Sequence, residues 1–240
     1  MIKPSIISSP FKFEPGKFDK KRFLTLKKLV SEGEGQRLEL KTKAAHPEKI
    51  VREMLAFANS DGGILLLGVG DDGSIPGLKF PEEDYYAVMQ ALRNCKPLLC
   101  LKEEFIFLAN GRVVIQFDVM RGRRIPHVWV VNGVKEIYVR ADDKSIRASR
   151  EMREIVRRKE RAKNIRFSYG AEEKLLMEYL DQYPFITLKK FVLLSKLKKA
   201  YASKKLVILV LANVLAVKPG EGEDQYFLGP SFEKERVSNF

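Results

Sequence analysis

Residues 62 to 73 read GGILLLGVGDDG, and this stretch constrains the fold more than any other part of the chain. The run ILLLGV is short, apolar and bounded by glycines, which suits a central strand. It follows HPEKIVREMLAFANS, the clearest helix in the sequence. There Pro47 fits a first-turn position and Glu48 favours the positive end of the helix. Ile50, Met54 and Phe57 form one apolar stripe that Val51, Leu55 and Ala58 widen. Gly68, Gly70 and Gly73 also match the G-x-G-x-x-G spacing of dinucleotide loops. A phosphate cradle needs a helix starting at the loop, whereas Pro76 and Gly77 signal a turn. Asp71 and Asp72 put two carboxylates where the phosphate would sit, so the dinucleotide reading is set aside.

The other segments fill in an α+β pattern. Residues 1–25 read as an arm that runs into a short helix in KRFLTLKKLVSEG, and QRLELKTK alternates as a strand. A helix in PEEDYYAVMQALRNC precedes two strands, KEEFIFLAN and RVVIQFDVM, joined by an Asn110-Gly111 hairpin signal. HVWVV, Asn132-Gly133 and KEIYVRA make a second hairpin, and the basic helix SREMREIVRRKERAKN closes a domain over 26–166. The expected fold is a mixed, largely antiparallel sheet with packed helices. From 167 to 230 the order is helix, one or two further helices, then a hairpin with an acidic, glycine-rich tip. That is the order of a small winged helix-turn-helix domain. Residues 231–240 read as a tail.

Charge narrows the partners. The chain carries 44 Lys+Arg against 31 Asp+Glu, a formal net charge of +13, and a field of that sign attracts polyanions. Cys95 and Cys100 cannot build a disulfide framework, and C-x4-C alone is a poor zinc signature. Both read as buried thiols in a reducing compartment. The first residues lack the apolar region of a secretory signal and no run approaches a membrane-spanning length, so a cytoplasmic protein without membrane contact is expected.

Two sets of residues could carry chemistry. Glu34, Glu39 and Asp71 lie around the ends of two strands. Clustered there, they could hold a divalent metal that activates water on a phosphodiester. Equally, Glu34 could lie in a turn, Glu39 could pair with Arg37 or Lys41, and Asp71-Asp72 could be ordinary turn residues. The second set is basic: Arg121, Arg123 and Arg124 in one loop, then Arg140, Lys144 and Arg147, with Lys204 and Lys205 further on. Guanidinium and ammonium groups in such runs supply salt-dependent contacts to phosphates.

EGQRLELK, AFANSDGGILLLGVGDDG, IPGL and YVRADDKSIRAS occur in that order over roughly residues 26 to 150. In these the chain resembles the Schlafen AlbA-like domain, a nucleic-acid-binding module often labelled ATP-binding or transcriptional regulator. Some eukaryotic Schlafens cleave tRNA and rRNA at a metal-dependent three-carboxylate centre. The resemblance places those carboxylates on Glu34, Glu39 and Asp71, with Mg²⁺ or Mn²⁺ as the implied ion. Leu40 stands where the family usually has Phe, and Gly70 where an acidic residue is frequent. The cleaving enzymes use two lobes and this chain has one, so RNA clasping would need a homodimer. The stretch LVILVLA, apolar on every side, offers either a dimer contact or a partly buried strand. The expectation is therefore a DNA- or RNA-binding protein acting as a DNA-binding transcriptional regulator, with a metal-dependent endoribonuclease as the alternative.

Overall fold

The apolar run Gly63–Leu67 forms a strand inside a four-stranded sheet, covered on both faces. The computed structural model describes residues 16–122, 126–159, 165 and 167–229. They fall into two compact units, one running to Gly122 and over His127–Ser145, the other over Ile146 onward with Pro126.

The first unit begins with α1 (Lys20–Ser31), β1 (Leu38–Lys41), α2 (Pro47–Asn59), β2 (Gly63–Leu67) and α3 (Pro81–Leu92). There follow β3 (Cys95–Lys96), β4 (Leu101–Phe107), β5 (Val113–Val119), β6 (Val128–Val131), β7 (Val134–Glu136) and β8 (Tyr138–Ala141). β9 (Lys144–Arg147) spans the boundary between the units. The main sheet has the order β1-β2-β5-β4. β1 and β2 are parallel, with Glu39 opposite Leu65, because α2 carries the chain back across the sheet. The other pairings in that sheet are antiparallel.

Alternation along the strands assigns the two faces. Leu65, Leu67, Ile115 and Phe117 pack against Ile50, Met54 and Phe57 of α2 and Val88 of α3. Leu38, Leu40, Leu66 and Val114 pack against Leu26 and Val30 of α1. The continuous apolar sequence of β2 thus reflects helices on both sides, the condition usual for parallel strands. Gly62 and Gly63 make the turn into β2 possible. Gly62 has φ +73°, and a Cβ on Gly63 would lie 2.4 Å from the Phe57 ring. After β2 the GVGDDG stretch closes a turn, with the Gly70 N–H donating to Ser74 O at 2.9 Å, and the next helix starts only at Pro81.

Two hairpins arise where Asn110-Gly111 and Asn132-Gly133 signal them. The strand read in KEIYVRA is interrupted at Ile137, giving β7 and β8 as separate strands. Cys95 is buried but Cys100 is exposed, contrary to the expectation for both, because it precedes β4 in an open loop.

The second unit contains α4 (Arg150–Lys159), α5 (Ala171–Gln182), β10 (Ile186–Thr187), α6 (Leu188–Ser195), α7 (Lys199–Leu211), β11 (Leu215–Lys218) and β12 (Gln225–Leu228). Its antiparallel sheet has the order β10-β12-β11. Lys196, at φ +55°, separates α6 from α7. α7 is helical throughout, so LVILVLA contains no strand. Leu206, Val207, Leu209 and Leu211 are buried, Leu206 and Leu209 in a core with Leu176, Leu180, Phe191 and Tyr226. The apolar character that suggested a dimer contact is thus largely satisfied inside the unit. No helix among the described residues is long and apolar enough to cross a membrane.

Replacing Gly63 by Ala forces a methyl group into the Phe57 ring. Denaturant unfolding should show a loss of about 1–3 kcal/mol, the usual cost of overpacking.

Candidate functional site

Glu39 and Lys41 alternate with Leu38 and Leu40 on β1, so they point to the α2 face of the sheet. Glu39 is buried there, and a buried carboxylate needs partners. Its Oε2 accepts from Arg140 Nη1 at 2.9 Å, and its Oε1 accepts from Lys41 Nζ. Arg140, on β8, has a side chain with no exposed surface. Besides Glu39, Nη1 donates to Glu53 Oε2 on α2 at 2.6 Å and to Ser145 Oγ at 3.2 Å, while Nη2 donates to the Gly35 carbonyl at 2.6 Å. The guanidinium lies 4.7 Å from the centre of the Phe57 ring, a cation–π contact. Burial pushes the Glu39 pKa up and the nearby Glu53 charge adds to this, against the lowering effects of Lys41 and Arg140.

Glu34 lies at the edge of this network. Its Oε1 accepts from the Leu40 backbone N–H at 3.0 Å and is 3.5 Å from Lys41 Nζ. The Lys41 ammonium therefore sits between Glu34 and Glu39, where a metal bridging them would be. Burial lowers its pKa, but its hydrogen bond to Glu39 and the surrounding carboxylates outweigh that and raise it overall. Asp71 is exposed in the turn after β2 and lines a separate hollow of about 430 Å³ with Asp72, Leu40 and Ile75. Among the described residues, no group of three or more His, Cys, Asp or Glu side chains is placed to hold a metal ion. In this arrangement the three carboxylates do not fit a shared ion.

The basic residues also divide. Arg140 points inward and cannot reach a phosphate from this position. Arg121 Nη1 is 3.3 Å from Asp61, and Lys205 Nζ is 2.5 Å from Glu173 and 3.6 Å from Glu172. Arg123 and Arg124 lie outside the described residues. Lys144, Arg147 and Lys204 are exposed. α4 carries five basic residues against two acidic ones, with Arg150, Arg153, Arg157 and Lys159 exposed.

Glu53 and Asn59 escaped the reading of the sequence. Glu53 lies three residues after Ile50 and four before Phe57, and a carboxylate beside the buried stripe was the available signal. Asn59 Nδ2 donates to the carbonyls of His127 and Tyr138 at 2.9 and 3.0 Å, and its Oδ1 accepts from His127 N–H at 2.7 Å. The adjoining Ser60 Oγ accepts from the Arg140 N–H at 2.9 Å. The AFANS sequence thus anchors β6 and β8 to the end of α2.

His127 is buried, with Nδ1 2.9 Å from the Pro97 carbonyl, and burial holds its pKa below the ordinary 6.5 despite that bond. Below about pH 6.5 the unfolded chain binds a proton that the folded chain resists, so acidification costs stability. Measured against a His127→Gln variant, the stability advantage of the native chain should shrink as pH falls from 6.5 towards 5. A constant difference would contradict this.

Residues 34–149 match the family model described as Schlafen, AlbA_2. The chain has no match among curated proteins. Among solved structures, the DIP2311 protein from Corynebacterium diphtheriae is similar at 15% identity and a TM-score of 0.40, over 57% of this chain and 31% of that one. The alternating β1, the AFANS anchor and the buried Arg140 all lie within the matched residues, which are similar to a Schlafen AlbA-like domain, a type consistent with nucleic-acid binding.

Proposed function

We propose that the chain is a DNA-binding regulator whose second unit is a winged helix and whose exposed lysines and arginines take the phosphates. The carrying observation is the division of α7. Its first half presents Lys199, Tyr201 and Lys204 to solvent, and in its second half Leu206, Val207, Leu209 and Leu211 are buried. A groove-reading helix must show polar side chains at its N-terminal end and bury its other face, and α7 follows that pattern. The order α5, β10, α6, α7 and the β11–β12 hairpin, with β10 paired to β12, supports the winged-helix reading.

In this reading Arg147, Lys204 and the exposed side of α4, all in the second unit, supply the electrostatic grip. Lys205, tied to Glu172 and Glu173, contributes little, and Arg140 none. The endoribonuclease alternative requires Glu39 to leave Arg140 and Lys41 and to converge with Asp71. Among the described residues, the contacts of Glu39 run to Arg140 and Lys41 and not towards Asp71.

Fluorescence anisotropy with a duplex DNA and a tRNA, across salt and with or without Mg²⁺ or Mn²⁺, tests the proposal. Duplex affinity should fall steeply with salt. Lys199→Glu combined with Lys204→Glu should weaken it about tenfold or more and flatten the log–log salt slope by about 2. Unchanged affinity in the double variant would refute the reading. Metal-stimulated tRNA cleavage abolished by Asp71→Ala would establish the nuclease instead.

A further inference from the structure

The second unit holds a cavity of about 670 Å³ that neither the nucleic-acid reading nor the carboxylate network uses. It lies among the start of α4, one side of α6, the first half of α7 and the tip of the β11–β12 hairpin. Leu188, Val192, Leu193 and Ala200 supply an apolar wall.

Three polar groups face this space with their hydrogen bonding incomplete. Asp224, at 7% exposure, accepts from Ser149 Oγ at 2.5 Å and from the Gly220 N–H at 3.3 Å. Glu151 Oε1 accepts from Ser203 Oγ at 2.6 Å. Among the described residues neither carboxylate has an ion-pair partner, and burial followed by the Glu151 charge pushes the Asp224 pKa up. Tyr226 is 1% exposed and lines the cavity, and its hydroxyl is buried with no hydrogen-bond partner. Burial, then the charges of Asp224 and Glu151, raise its pKa, which places that hydroxyl in the field of both carboxylates.

Native proteins pair nearly all such atoms, and an orphaned hydroxyl beside two unneutralised carboxylates marks a place for a donor that bears positive charge. We infer that the cavity binds a small organic amine, whose ammonium is held by Asp224, Glu151 and the Tyr226 hydroxyl and whose apolar body lies on the Leu188–Val192–Leu193 wall. An ammonium offers three N–H donors to these three acceptors. The volume suits a ligand of that kind. Arg150, Lys189 and Lys199 also line the cavity, but they are exposed and their charges are screened by water and salt. The inference rests on this geometry and is independent of DNA binding.

Calorimetry on the full chain with three probes of one shape tests it: 2-phenylethylamine, its neutral N-acetyl derivative and the anion 3-phenylpropionate. The amine should bind at least about tenfold more tightly than the other two, the discrimination expected when a charge-assisted contact is lost. Asp224→Asn should abolish that preference. Tyr226→Phe removes an oxygen that bonds nothing in the empty site, so it should leave the melting temperature unchanged or higher while weakening the amine several-fold. This second variant keeps the test valid if Asp224→Asn fails to fold. Equal binding of the three probes, preference for the anion, no binding of the amine, or a Tyr226→Phe chain with undiminished affinity would each overturn the inference.

Discussion

The first unit is organised around a charge that has no access to water. Arg140 comes from β8, Glu39 from β1 and Glu53 from α2, sites 101 and 87 residues from Arg140 in sequence. A guanidinium without solvent must be matched in charge and in hydrogen bonds, and its planar fork fits carboxylates better than any other side chain. The match is good but incomplete, since Arg140 Nε is left without a partner. Removing either side of such a pair leaves an uncompensated buried ion, which costs far more than the pair itself contributes. The network thereby specifies where β8 lies against α2 and the sheet, while Leu65, Leu67, Ile115 and Phe117 supply the bulk of the packing.

That constraint bears directly on function. A carboxylate that holds Arg140 and Lys41 has little left for a metal, so the glutamate most suggestive of catalysis is occupied by the fold. The basic residues follow a similar logic, because formal charge does not equal available charge. Arg140 is internal, Arg121, Lys205 and Arg157 face carboxylates, and Lys204 with the other exposed residues of α4 carries charge outward. Surface pairs are worth little and open readily to a polyanion, whereas the Arg140 pair does not. Any attraction for nucleic acid therefore comes from a subset of the +13.

The sequence made the α+β class, the principal helices and both Asn-Gly hairpins legible, because these follow from local periodicity and turn chemistry. The two helices α6 and α7 were readable only as one or two, since the break rests on Lys196 adopting a left-handed conformation with no glycine to announce it. The two-residue strands β3 and β10 were hidden because pairing, not sequence pattern, defines them. Glu39 was readable as a paired residue, and Lys41 was one of the two partners considered. Its decisive partners were not, because Arg140 and Glu53 reach it only through tertiary structure. Arg140 stands among lysines and arginines that do face water, and nothing in the local sequence sets it apart. Asp224 and Tyr226 look like hairpin residues until the fold places Glu151 beside them.

The most direct test of this account is a double-mutant cycle on stability with Glu39→Gln and Arg140→Met. Buried partners in one network predict that each single change is severe and that the double change costs less than their sum, by about 1–3 kcal/mol. Additive effects within about 0.5 kcal/mol would mean that Arg140 and Glu39 act separately, and the network would not be what holds the domain.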